Sequence, residues 1–101
     1  MYTFVRRADT QRMEAQAFAA EITDVVRKVT GLDVILSNQV YGPANRIFWI
    51  ARGIESLDDF EKKMAHLMTD PEYLAKVREG IDGQYMVPGS IEDTLLRTVD
   101  I

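Results

Sequence analysis

The sequence has no cysteine, and it has only one histidine and one tryptophan among its 101 residues. Without cysteine the chain can form no disulfide, no thiolate nucleophile, no cysteine-ligated zinc site and no iron–sulfur cluster. Its single histidine, His66, excludes a cluster of histidine ligands within one chain. We therefore expect no metal and no other cofactor. A chain of this length is expected to fold as one domain, residues 1–101, on its hydrophobic core alone.

Basic clusters and long apolar runs are also absent. The net charge is −4, and the acidic and basic residues are interspersed, whereas affinity for a phosphate backbone depends on clustered lysine and arginine. No apolar run approaches the roughly 20 residues needed to span a bilayer, and the first residues lack the basic start and apolar core of a signal peptide. These absences predict a cytoplasmic protein with neither nucleic acid nor membrane as a partner.

Hydrophobic periodicity predicts a strand and a helix at the start of the chain. Tyr2–Arg7 is short, β-branched and aromatic, which is typical of a strand, and Asp9 or Thr10 follows as a helix cap. Apolar residues at helical spacing predict helix one over Gln11–Thr30, and Gly31 stands where a helix C-cap is expected.

Two further strands are predicted to form a hairpin. Strand two covers Leu32–Tyr41 and strand three covers Arg46–Gly53, with a four-residue turn at Gly42–Asn45 between them. A loop of that length places Tyr41 opposite Arg46.

The second half of the chain predicts an interrupted helical region and a last strand. Ser56 is a typical helix cap, and the apolar stripe that follows it predicts helix two through Leu67. Asp70 followed by Pro71 restarts the helical signal, so a break and a short third helix ending near Gly80 are expected. Strand four is predicted at Ile91–Ile101.

This order, βαββαβ with the second helix interrupted, predicts an α+β ferredoxin-like fold. In that topology strands one and three lie at the centre of a four-stranded antiparallel sheet, and the helices pack on one face. An RNA-binding domain shares the element order, but it requires a basic residue, a glycine and exposed aromatics in a strand motif that Arg46–Gly53 does not match.

The most apolar segment, Ile47–Ala51, predicts that the sheet is covered on both faces. Its five consecutive apolar residues show none of the alternation of a strand with one wet face. The helices can cover only one face, and soluble monomers rarely leave a large apolar patch exposed. We therefore expect a homodimer that packs sheet against sheet and encloses a lumen.

The hairpin register divides strands two and three into two faces. The drier set, which contains Val34, Ile47, Trp49 and Ala51, is assigned to the helices. The other set mixes apolar walls with hydrogen-bonding groups, a composition typical of a small-molecule pocket. The ligand-binding residues predicted in the lumen are Gln39, Tyr41, Phe48, Ile50 and Arg52.

Two classes of function remain after these exclusions. The first is a dimer that binds a small, mostly apolar or aromatic organic molecule; as an enzyme it would be a cofactor-independent monooxygenase or an isomerase. The second is a non-catalytic dimerisation module whose buried sheet face serves association only. A roomy cavity with convergent polar groups favours the first, and a filled, dry layer favours the second.

Two short motifs resemble a known family. Glu55-Ser56-Leu57-Asp58-Asp59, followed after helix two by Asp70-Pro71-Glu72-Tyr73, is similar to the pattern of NIPSNAP-type dimeric α/β-barrel proteins. The wider superfamily includes antibiotic-biosynthesis monooxygenases, heme-degrading monooxygenases and muconolactone isomerases, so the resemblance implies a dimeric barrel rather than one reaction. Heme-degrading members carry a histidine in the second half of the helical region. Tyr73–Glu79 has none, so heme is not implied.

Overall fold

A computed structural model describes residues 1–100, and within them four strands alternate with three helices in the predicted order. The strands are β1 (Tyr2–Asp9), β2 (Asp33–Asn38), β3 (Arg46–Ile54) and β4 (Glu92–Arg97). The helices are α1 (Ala15–Thr30), α2 (Leu57–Leu67) and α3 (Pro71–Gly83). None of the helices within residues 1–100 is long and apolar enough to cross a membrane.

The helix caps follow the sequence at three of the predicted positions. The Ser56 hydroxyl accepts a hydrogen bond from the Asp59 N–H at 3.2 Å, and the Asp70 carboxylate accepts one from the Tyr73 N–H at 2.9 Å. Gly31 ends α1 in the left-handed region, at φ 71°. The predicted break is therefore present: α2 ends at Leu67, and α3 begins at Pro71 with Asp70 as its own N-cap.

The start of α1 was predicted too early. Asp9 still belongs to β1, where its carboxylate pairs with Arg46 at 2.9 Å, so it is not available as a helix cap. Instead α1 begins at Ala15, and Glu14 stands at the N-cap position without a side-chain hydrogen bond. The intervening segment bonds to the residues that follow α3: the Gln11 N–H donates to the Tyr85 carbonyl at 2.9 Å.

The sheet has the predicted topology. Its strand order is β2-β3-β1-β4 and every neighbouring pair is antiparallel, so β1 and β3 are central and β4 is an edge strand. This arrangement is the α+β ferredoxin-like fold. Strand β4 is shorter than the predicted Ile91–Ile101, since it ends at Arg97, and Ile101 lies outside the described residues.

The hairpin register differs from the prediction by two residues. Asn38 pairs with Ile47, and the Gln39 N–H donates to the Arg46 carbonyl at 2.9 Å, so Gln39 rather than Tyr41 lies opposite Arg46. Gly42 turns the chain at φ 96° and Pro43 has no N–H for the ladder, so the strands separate earlier than expected. A shift of two residues preserves the side-chain faces.

The helices cover the face that was predicted for them. Val34, Ile47 and Ala51 are buried on this face, and Trp49 packs with them. A second cluster joins all three helices: Val25 of α1, Leu67 of α2 and Tyr73 of α3.

The opposite face, here called the outer face, has no helix on it. The pairing of β1 with β3 and β4 places these side chains together on it: Val5, Ile35, Phe48, Ile50 and Leu96. Leu96 is 51% exposed. The same registers place polar side chains beside them: Arg7, Ser37, Glu92 and Thr94. Within the described chain the outer face is therefore a mixed apolar and polar surface without a covering layer.

Candidate ligand cavity

A cavity of about 670 Å³ lies between the sheet and the helices. The sheet contributes Phe4 and Trp49, and the helices contribute Phe18, Phe60 and Val77. Ligand sites for small organic molecules typically have volumes of about 300–1,000 Å³ and mostly apolar walls with a few polar groups. In volume and composition this cavity matches that description.

One wall of the cavity is the segment between α3 and β4. Met86, Val87 and Ile91 line the cavity from this segment. Backbone contacts hold it against the end of β1, since the Val87 N–H donates to the Asp9 carbonyl at 2.7 Å. The segment is therefore held in place by β1 as well as by its connections to α3 and β4.

Gly80 in α3 allows an aromatic ring to stand in the cavity wall. A Cβ at Gly80 would lie 2.8 Å from the end of the Phe18 ring, which is too close for any other residue unless the ring moves. Phe18 in turn stacks on Tyr85, with 4.8 Å between the ring centroids. A side chain at Gly80 would drive Phe18 out of this stack, so the glycine fixes the shape of the cavity here.

Arg6 is the charged group of the cavity. Its Nε and Nη2 donate to the two carboxylate oxygens of Asp93 at 2.7 and 2.9 Å, and its guanidinium lies 5.7 Å from the centre of the Phe4 ring. Among the described residues that line the cavity, Arg6 alone is charged at neutral pH, and none supplies a carboxylate or an imidazole.

The Arg6–Asp93 pair is ionised at neutral pH. The hydrogen bonds from Arg6 lower the pKa of the Asp93 carboxyl, and burial opposes them with a smaller effect. The hydrogen bonds to Asp93 likewise raise the pKa of Arg6, and the nearby Tyr73 hydroxyl adds a smaller contribution. Both charges therefore persist, and each neutralises the other.

Trp49 is held in the cavity wall by a hydrogen bond to α1. Its Nε1–H donates to the Thr23 hydroxyl at 2.9 Å, and that hydroxyl donates to the Ala19 carbonyl at 2.6 Å. Thr23 is only 2% exposed, so its polar group depends on these partners.

We expect Thr23→Val to destabilise the protein by about 1–3 kcal/mol, because the indole N–H would lose its acceptor inside the core. Urea unfolding followed by far-UV circular dichroism measures this loss. Thr23→Ser, which keeps the hydroxyl, is the control and should retain more of the stability. Equal stability of Thr23→Val and the unmodified protein would contradict the role given to this hydrogen bond.

The five residues predicted to bind a ligand lie away from this cavity. Gln39 and Tyr41 follow β2 in the hairpin loop, where Tyr41 is 92% exposed. Phe48 and Ile50 lie on the outer face, and Arg52 pairs with Asp33 at 2.9 Å. The chamber predicted for them requires a second sheet against the outer face, so a single chain does not test it and it stays a prediction.

Arg6 was not among the predicted site residues. The signal was present in the alternation of β1, because Phe4 and Ala8 are core residues and Arg6 shares their side of the strand. An arginine on the apolar side of a central strand indicates either a buried ion pair or a ligand contact.

No protein-family model matches the chain, and no curated protein matches it. Its ferredoxin-like fold is shared by solved structures of NIPSNAP-family proteins and of antibiotic-biosynthesis-monooxygenase-like proteins, the superfamily that the motifs resemble.

Three of these structures illustrate the similarity. An uncharacterised NIPSNAP-like domain protein from Burkholderia xenovorans is 22% identical with a TM-score of 0.76, over 97% of this chain and 84% of that one. A NIPSNAP family protein from Agrobacterium tumefaciens is 18% identical with a TM-score of 0.77, over 98% and 93%. SnoaB, a cofactor-independent oxygenase from Streptomyces nogalater, is 17% identical with a TM-score of 0.69, over 99% and 94%.

Proposed function

We propose that this protein binds a small, mostly apolar organic molecule in the cavity between its sheet and its helices. The observation that carries the proposal is the cavity of about 670 Å³, whose walls are apolar and aromatic apart from a few polar groups such as Arg6. Protein cores are normally close-packed, with few voids larger than a water molecule. A cavity of this size therefore favours ligand binding over a role in dimerisation alone.

Binding is favoured over catalysis by the chemistry of the walls. A monooxygenase or an isomerase without a cofactor must take a proton from its substrate or stabilise the resulting anion. The described residues that line the cavity include neither a carboxylate nor an imidazole to act as a base, and the charge of Arg6 is already neutralised by Asp93. SnoaB is a cofactor-independent oxygenase, but its similarity to this chain supports the fold rather than the reaction.

The proposal predicts that filling the cavity weakens ligand binding. Val77 lines the cavity from α3, and Val77→Phe should weaken the binding of a neutral naphthyl probe such as 2-acetylnaphthalene by about tenfold or more, since the larger ring occupies the same space. Quenching of Trp49, the one tryptophan of the chain and itself part of the wall, measures the affinity.

Ala75→Phe is the matched control, because Ala75 is exposed on the same helix and is not among the residues that line the cavity. It should bind the probe as the unmodified protein does. Equal affinity of all three proteins, or no binding by the unmodified protein, would overturn the proposed site.

We also propose that two copies form a homodimer through the outer face. The support is the group of apolar side chains on that face, with Ile50 between Val5 and Ile35, together with the position of all three helices on the opposite face. The chamber between paired sheets, with Gln39, Tyr41, Phe48, Ile50 and Arg52, belongs to this proposal. The single-domain organisation and the cytoplasmic location likewise stay predictions.

A further inference from the structure

Arg6 lines the cavity while its partner Asp93 lies beside the cavity on β4, and this arrangement indicates which ligands the protein accepts. We propose that the cavity selects uncharged molecules that present a hydrogen-bond acceptor, such as a ketone oxygen, to Arg6, and that Asp93 sets this selectivity by neutralising the guanidinium. This inference rests on the proposed function and names the class of ligand for that cavity.

The geometry leaves Arg6 able to donate to a ligand. The two bonds to Asp93 use only Nε and Nη2, whereas a guanidinium also carries N–H groups on Nη1. Arg6 lines the cavity together with Phe4 and Tyr73, so its donors are near a largely apolar space. A ligand oxygen placed against Arg6 would receive a hydrogen bond from a charged donor.

The charges disfavour an anionic ligand. Transferring a carboxylate from water into apolar surroundings is costly unless an unneutralised cation compensates it. The carboxylate of Asp93 already occupies that role in a two-point contact with Arg6. A ligand carboxylate would meet a neutral ion pair with the negative charge of Asp93 close by. No favourable interaction would then compensate the free energy of its desolvation.

A cationic ligand is disfavoured by the same pair. Asp93 accepts both hydrogen bonds of Arg6, and the described residues that line the cavity include no acidic side chain. An ammonium group would therefore be desolvated beside the positive charge of Arg6. A neutral molecule with an acceptor oxygen has neither penalty.

The test compares two ligands of the same shape, 2-acetylnaphthalene and the anion 2-naphthoate, by quenching of Trp49 at neutral pH. The unmodified protein should bind the ketone more tightly than the carboxylate by about tenfold or more. In Asp93→Asn no carboxylate neutralises the guanidinium, so the preference should shift toward the carboxylate ligand by at least a similar factor. Asp93→Glu, which keeps the charge, should retain the original preference.

Glu92→Gln is the matched control. Glu92 precedes Asp93 on β4 and pairs with Arg7, but these two side chains lie on the outer face. Its substitution removes the same charge from the opposite side of the sheet, and the ratio of the two affinities should not change. Circular dichroism of each variant verifies that the fold is kept.

The outcomes separate the two proposals. If both probes bind and Val77→Phe weakens their binding, the cavity is the site. Equal affinity for the ketone and the carboxylate would then overturn the selectivity alone. Equal effects of Asp93→Asn and Glu92→Gln would do the same. Failure of the unmodified protein to bind either probe would overturn the proposed function and the selectivity together.

Discussion

Ile50→Asp is expected to convert the proposed dimer into monomers that unfold at a lower temperature. Ile50 lies at the middle of the outer face, where its cross-strand neighbours are Val5 on β1 and Ile35 on β2. A carboxylate at this position would be buried between two sheets without a cation directly opposite, and leaving a buried charge unpaired costs about 3–5 kcal/mol. Because the interface is symmetric, the cost is incurred twice in each dimer.

Size-exclusion chromatography with light scattering measures the mass, and thermal unfolding at several protein concentrations measures the linkage between association and stability. Leu74→Asp is the control, since Leu74 is 44% exposed on α3 and lies on the helical side of the molecule. It should leave the mass unchanged. A monomeric mass for the unmodified protein, or a dimer that tolerates Ile50→Asp, would rule out the outer face as the interface.

Leu67→Ala is expected to have the largest effect on the stability of the single chain. Leu67 is 1% exposed and packs with Val25 and Tyr73 where the three helices meet. Removing its side-chain carbons loses hydrophobic burial and leaves a void, and such substitutions cost about 2–5 kcal/mol. Urea unfolding measures the change in the free energy of unfolding.

Leu74→Ala removes the same atoms from the neighbouring helix at a site that is 44% exposed, against 1% for Leu67. Its effect should be several times smaller, because less apolar surface is returned to water. Comparable losses for the two variants would mean that the three-helix cluster does not carry the stability assigned to it.

The fold followed from signals that are local in the sequence. The apolar run Ile47–Ala51 marked a central strand, and Ser56 and Asp70 marked the starts of two helices; the structure has each of these features. Such signals depend on a few neighbouring residues and their periodicity, and tertiary contacts did not override them here.

The hairpin register and the start of α1 depended on longer-range contacts. Asp9 has the residue type of a helix cap, but its ion pair with Arg46 across the sheet keeps it in β1. The loop is longer than four residues because Gly42 and Pro43 draw the chain away from the ladder before Tyr41 can pair. Both outcomes depend on which distant residues become neighbours.

The cavity was the least predictable feature. Its walls come from separate elements: Phe18 of α1, for example, packs directly against Gly80 of α3. Periodicity identifies which side chains point toward the helices, but it does not show whether the enclosed space is filled. The sequence therefore placed a pocket on the more polar set of residues, whereas the described chain holds its cavity on the drier side of the sheet.

Successive side chains of β1 lie on opposite faces of the sheet, so adjacent residues belong to different surfaces. Arg6 lies in the cavity, while Val5 and Arg7, on either side of it, belong to the outer face. A substitution at Arg6 therefore changes the lining of the cavity and the proposed selectivity, whereas a substitution at Val5 or Arg7 changes the face through which we propose that two copies associate. The strand can drift at either surface independently, provided that no insertion or deletion puts its residues out of phase.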